Sequence, residues 1–208
     1  LYCKGNMNLN NEKVLSIVGT RNSTGYGQTV CDKIIRDLSA QNVLIVSGLA
    51  YGIDIHAHRA AIKNNLPTVA ALAHGLDRVY PSVHYSTAQR MLERGGLITD
   101  FLSGTNPDKE NFPKRNRIVA GMSDAVLVIE TAVSGGSLIT AEIANGYNRD
   151  VFAIPGKCGE EYSSGCNWLI KTNRAMLVES AKDIEQALGW EKKEQKKKNV
   201  QKELFTKL

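Results

Sequence analysis

The chain has 208 residues, of which 42% are hydrophobic and 6% aromatic, and carries a net charge of +5. That length can bury one core of ordinary size, and no apolar run approaches the roughly 18 residues that a membrane span requires. Residues 191–208 hold seven Lys against three Glu, leaving about +1 for residues 1–190, so the body has to meet any acidic partner with a local patch and not with its overall field.

Short apolar runs alternate with amphipathic segments of helix length. Val14 to Thr20 reads as a strand, followed by a helix from Gly25 to Asn42 with Val30, Ile34, Ile35 and Leu38 on one face. A strand at Val43 to Ser47, a helix at Ile53 to Asn64 and a strand at Thr68 to Ala73 come next. Leu97 to Thr99 is a short strand; Ala125 to Glu130 and Val151 to Ile154 are stronger ones, and Met176 to Glu179 closes the series before a short helix at Ala181 to Leu188. Strand and helix alternating this often predict an α/β domain over residues 1–190, with a mostly parallel sheet and helices on both faces. Residues 191–208 are too polar to bury a core of their own and read as a charged linker, and a chain that starts at Leu1 reads as part of a longer protein. Cys3, Cys31, Cys158 and Cys166 form no C-x-x-C pair, which disfavours zinc and suits a reducing cytoplasm.

Several predicted strands end in glycine: Gly19, Gly48, Gly75 and Gly156. In open α/β sheets, ligands bind beyond the carboxyl ends of the strands, and glycine there allows tight turns and close approach. The loop from Gly19 to Gly27 fits neither a dinucleotide fingerprint nor a P-loop, but it feeds a helix N-terminus that suits an anion, with Arg21 as an added cation. The Gly135-Gly136-Ser137 turn opens a second such helix, on which Glu142 is either a catalytic acid or the partner of a cation. His56 and His58, at i and i+2, face different sides of a helix and cannot share a metal; Asp54 is a favourable acid near a helix start.

The sequence Phe112-Pro113-Lys114-Arg115-Asn116-Arg117 is the most informative segment. Three cations stand near a predicted helix start, against the dipole, where Ile118, Val119 and Met122 give the anchoring face. An exposed crest that holds phosphate, with an aromatic ring for stacking on unpaired bases, accounts for this placement.

These residues resemble the DNA-processing protein A (DprA/Smf) family. The resemblance runs through Ile17-Val18-Gly19-Thr20-Arg21, Ser47-Gly48-Leu49-Ala50-x-Gly52-Ile53-Asp54, Gly75-Leu76-Asp77-x-x-Tyr80-Pro81, the Phe112 to Gly121 segment, Gly135-x-Ser137-Leu138-Ile139-Thr140-Ala141 and Asp150 to Gly156. It ends with Gly165-x-Asn167-x-Leu169-Ile170. Where the family commonly shows Gly-Cys-Gly, this chain has Ala73-His74-Gly75. The resemblance implies an extended Rossmann-like fold without a cofactor or catalysis, which binds and protects single-stranded DNA and loads RecA recombinase onto it in natural transformation, as a cytoplasmic homodimer. It assigns the DNA pocket to Arg21, Phe112, Lys114, Arg115, Asn116 and Arg117, with amides from Gly48, Gly135, Gly136 and Ser137, and a dimer contact to Asn167, Leu169 and Ile170. The alternative is a nucleotide-processing enzyme, similar to the lysine-decarboxylase-like phosphoribohydrolases, that would use Glu142.

Overall fold

A computed structural model describes residues 1–191; the linker expected at 191–208 lies outside them apart from Glu191. In chain order the elements are β1 (Tyr2–Lys4), β2 (Val14–Gly19), α1 (Gly25–Asp37, extended by a 3-10 turn at Leu38–Gln41), β3 (Leu44–Ser47), α2 (Ile53–Lys63) and β4 (Thr68–Ala71). A 3-10 turn at Ser82–His84 then leads into α3 (Tyr85–Met91), β5 (Gly96–Thr99), α4 (Asn111–Gly121) and β6 (Ala125–Ile129). The chain continues through α5 (Gly136–Gly146), β7 (Asp150–Ala153), α6 (Glu161–Lys171), β8 (Met176–Leu177) and α7 (Ala181–Ala187).

The strands form one sheet in the order β1-β5-β4-β3-β2-β6-β7-β8, parallel except where β1 pairs with β5. Strands β2 to β5 step outward in one direction, and β6 to β8 step in the other. The reversal falls between β2 and β6, where Gly19 pairs with Ile129, so a crevice opens beyond the carboxyl ends of these two strands.

Alternation along the strands builds the layers. Leu15 and Ile17 of β2, with Ile45, Leu127 and Phe152, meet Cys31 and Ile34 of α1, Ala57 of α2 and Ile184 of α7. On the opposite face Val18, Val46, Val126 and Val128 meet Val119 of α4, Ala141 of α5 and Leu169 of α6. A smaller cluster puts Leu72 and Leu97 against Ala88 and Met91 of α3. Two buried serines of the strands are satisfied: Ser16 Oγ donates to the Val119 carbonyl at 2.7 Å and Ser47 Oγ to the Ile17 carbonyl at 2.6 Å.

Helix ends follow local chemistry. Thr24 caps α1 by accepting from the Gly27 amide, and Ser180 with Asp183 forms a capping box on α7. Asn42, Asn65, Asn148 and Asn173 adopt φ between 52° and 56° just after helical segments, where a short polar side chain tolerates the left-handed turn.

Three elements were not named in the sequence reading. Strand β1 has only three residues, all exposed, and so carries no alternating pattern. Helix α3 is a single short piece of seven residues. Helix α6 has Gly165 in its middle, where helix propensity is low; a Cβ there would sit 2.6 Å from the carbonyl oxygens of Thr131 and Ala132, so the glycine lets α6 pack against the β6–α5 loop.

Candidate nucleic-acid interface

The cations of α4 do not form one exposed crest. Arg115 is 5% exposed and points inward, donating from Nη1 to the Gly48 carbonyl at 2.8 Å and to the Ala71 carbonyl, so it ties together the ends of β3 and β4. Asp54, 7% exposed, lies beside it and accepts from the Ala50 amide at 3.4 Å. Burial pushes the Asp54 carboxyl up and the Arg115 guanidinium down, while each ion pulls the other back toward its charged form. A Cβ on Gly48 would fall 2.5 Å from the Arg115 nitrogens and 2.6 Å from Asp54 Oδ2. The exposed placement expected of Arg115 is thereby corrected, and so is the reading of Gly48: its missing side chain makes room for the buried Arg115 guanidinium and Asp54 carboxyl that flank it. Hydrogen bonding to the Gly48 backbone also favours the ionised form of Asp54, against the burial that raises its pKa.

The other cations of the segment, Lys114 and Arg117, face solvent. Arg21 places its guanidinium 5.5 Å over the Phe112 ring, which joins the β2–α1 loop to the first turn of α4. Phe112 lies 6.2 Å from the Tyr80 ring at 52°, and Tyr80 meets the edge of His74 at 6.5 Å. Lys114 is exposed, and Asn116 is partly buried, accepting from Arg115 Nε at 3.3 Å. Arg117 is bound by Asp100 at 2.5 Å, which raises its pKa further, although 60% of its side chain stays exposed. The open cationic rim is therefore Arg21 and Lys114 around Phe112, with Arg117 tethered at its border.

At the β6–α5 turn, Gly136 opens to solvent, with nothing within 4 Å of the point a Cβ would occupy. Ser137 is buried, and its hydroxyl donates to Thr131 Oγ1 at 2.6 Å; Gly135 precedes the helix, and its carbonyl already accepts the Leu138 amide at 3.1 Å. Glu142 meets Arg174 at 3.3 Å, and Arg174 in turn stacks 5.0 Å over Trp168. His56 pairs with Asp32 at 3.0 Å and His58 with Thr68 Oγ1 at 2.7 Å, separate partners on separate faces. The dimer contact expected at Leu169 is corrected: its side chain is fully buried in the domain's own core. Asn167 uses both ends of its amide on the Gly156 backbone, at 3.1 Å and 2.9 Å, and Ile170 is partly buried.

Sequence reasoning missed the roles of Asp54, His74, Tyr80 and Glu130. Asp54 passed for an ordinary helix-start acid because its partner is 61 positions away in the chain. Tyr80 lies within a family motif, but nothing in that motif states what its ring touches. Glu130 adopts φ 54° at the end of β6, is 6% exposed, and accepts from the Thr24 amide at 2.9 Å and from the Thr24 hydroxyl. A left-handed glutamate at a strand end is costly, and only its acidic character after an apolar run marks it in the sequence.

Comparison with known proteins identifies the family. The family described as DNA recombination-mediator protein A matches residues 1–189. Protein Smf of Escherichia coli is 39% identical over 186 residues, covering 89% of this chain and 50% of its own length. DNA processing protein DprA of Streptococcus pneumoniae is 39% identical over 184 residues, covering 88% and 64%. The chain thus spans about half to two thirds of the length of these relatives. The crystal structure of the pneumococcal protein superposes with a TM-score of 0.80 at 38% identity, over 88% of this chain and 64% of that one. DNA processing protein A of Helicobacter pylori, solved for its single-stranded DNA binding mode, gives 0.82 at 28% identity, over 90% and 85%. The molybdenum cofactor carrier protein of Chlamydomonas reinhardtii, at 9% identity and 0.60, shares the fold alone. With the family pattern spanning all but the last residues, and with relatives near 40% identity over most of its length, the chain belongs to the DNA recombination-mediator protein A family, the DprA/Smf proteins.

Proposed function

We propose that the domain binds single-stranded DNA across the carboxyl ends of its strands, with phosphates held by Arg21 and Lys114 and bases stacked on Phe112. The observation that carries this reading is the Arg21–Phe112 pair, an exposed guanidinium set 5.5 Å over an aromatic ring at a strand-end crevice. Such a pair offers a phosphate its charge and a base its flat face, and does so for any sequence. The single-stranded DNA bound by the Helicobacter pylori relative supports the choice of ligand. Arg115 enters this function as a positioning residue: it fixes the first turns of α4 against β3 and β4, and with them Phe112 and Lys114.

In this reading the domain works by binding and not by catalysis. It shields the strand and passes it to RecA recombinase during natural transformation and recombination, as a cytoplasmic homodimer. The ion pair between Glu142 and Arg174 supports a structural role for that glutamate and weakens the nucleotide-processing alternative.

The test is fluorescence anisotropy of a labelled oligo-dT over a series of salt concentrations. Affinity should fall steeply with salt, and Arg21→Ala should weaken binding and flatten the slope, since each phosphate contact on a single strand contributes about 0.7 to it. Equal affinities and slopes for wild type and Arg21→Ala would sink the assignment. Release of free base from a nucleoside monophosphate, lost in Glu142→Ala, would favour the enzyme.

A further inference from the structure

Beyond the carboxyl ends of β2, β6 and β7 lies a cavity of about 670 Å³ that shares no residue with the Arg21–Phe112 rim. Its walls include the rings of Tyr26 and Tyr162 and the edge of Pro155, with Glu130 and Thr24 among its polar lining. The volume is within the range of about 300–1,000 Å³ that small-molecule sites occupy. One wall is held in place: Tyr26 donates its hydroxyl to the Pro155 carbonyl at 2.7 Å. The other carries a link to the rim, because Asn22 donates to the Tyr162 hydroxyl at 3.1 Å while its neighbour Arg21 stacks on Phe112. Adjacent residues of one loop therefore reach into both places.

The chemistry of the cavity differs from that of the rim. Glu130, Glu160 and Glu161 line it against the single cation Lys157, which is itself drawn to Glu160 at 3.5 Å. A phosphate is poorly served there. A flat, neutral group with hydrogen-bond donors is well served: tyrosine rings offer stacking, and each carboxylate oxygen of Glu130 keeps a lone pair beyond the one that Thr24 uses. Glu130 is held in this place at the expense of a left-handed backbone, a kind of strain that concentrates at ligand sites.

We infer that this cavity seats one unstacked nucleobase of the bound strand, and that Glu130 favours a base with an exocyclic amino group over thymine. Adenine, cytosine and guanine each present an amino donor to an acceptor, whereas thymine flanks its lone N–H with two carbonyls that a carboxylate repels. The inference rests on the proposed single-strand binding and adds to it a base-seating pocket next to the phosphate rim.

The experiment uses an oligo-dT with one central 2-aminopurine and a terminal dye, so that anisotropy reports binding and 2-aminopurine emission reports stacking. Wild type should give both an anisotropy rise and a saturable drop in emission, on the order of twofold, as the base stacks. Tyr26→Ala, which leaves the Asn22 link intact, and Tyr162→Ala should each keep most of the anisotropy response and lose the drop. Glu130→Gln should shrink the preference for an oligo-dT bearing one dA, dC or dG over unmodified oligo-dT. An anisotropy rise with unchanged emission, or an emission drop that both tyrosine variants retain, overturns the base-seating pocket while leaving strand binding in place. No anisotropy rise at all overturns strand binding and the pocket together.

Discussion

Arg115 donates to the carbonyl of Gly48 across 2.8 Å, so a residue of α4 closes the turn at the end of β3. The contact explains why an arginine in a basic segment is buried, and why glycine is required opposite it. Removing the buried guanidinium leaves the Gly48 and Ala71 carbonyls without their donor, and a buried polar group left unsatisfied costs about 1–3 kcal/mol. Arg115→Ala should lower the stability of the domain by that order, measured by urea denaturation, and Gly48→Ala should also destabilise it. Arg21→Ala, at the exposed rim, should change stability by no more than about 0.5 kcal/mol. Equal unfolding midpoints for Arg115→Ala and wild type would refute the structural role of Arg115.

The cations of the interface should also differ in their effect on DNA affinity. Phe112→Ala removes the ring under Arg21, a contact of about 0.5–1 kcal/mol in exposed settings, together with its stacking surface. Arg117→Ala should weaken oligo-dT binding less than Arg21→Ala, because Asp100 already engages the Arg117 guanidinium. Asp100→Asn should then tighten binding by releasing that guanidinium. The order of the four affinities, taken from anisotropy at one salt concentration, checks the whole arrangement.

Gly52 links backbone geometry to the same loop. It has φ 72°, and a Cβ there would lie 2.6 Å from the carbonyl carbon and oxygen of Arg21. Gly52→Ala should destabilise by about 1–3 kcal/mol through strain and displacement of the Arg21 loop. A loss of oligo-dT affinity should accompany it, visible in protein that circular dichroism shows to be folded.

A pH dependence follows from His58. It is fully buried, with Nδ1 on the Thr68 hydroxyl, and burial lowers its pKa to about 3, with Arg115 and His84 adding to the shift. The unfolded chain protonates this histidine near its ordinary value of about 6.5, so below that pH the unfolded state binds the extra proton. The stability this residue contributes is complete above about pH 6.5 and falls steadily as pH drops toward 3. Urea midpoints measured between pH 7.5 and about 4.5 should decline, and His58→Gln should make the decline shallower.

The strands and the layering were legible because their evidence is local. The short apolar runs from Val14 to Val18 and from Ala125 to Ile129 mark strands covered on both faces of a parallel sheet. The edge that holds the crevice was legible too, since the glycine-ended strands point to it, whereas the reversal of strand order between β2 and β6 was not. The inside of the interface was not. Whether a guanidinium turns to solvent or into the sheet depends on a carboxylate 61 positions away and on the space above Gly48, and neither leaves a mark in the segment itself. The tyrosine-walled cavity was hidden for a similar reason: Tyr26, Glu130 and Tyr162 belong to three separate parts of the chain. The asparagines that end four helical segments were a readable stop signal that a search for glycine alone overlooks.

Because every strand but β1 runs the same way, the sheet has a working end and a quiet end. Lys13, at the head of β2, donates to the Trp190 carbonyl at 3.1 Å and stacks 5.9 Å from its ring, far along the strands from the Arg21 loop. A fluorophore or surface tether fixed beside Trp190 would hold the domain with its crevice turned outward. Immobilised that way, every molecule on a sensor chip would present the same face to the strand.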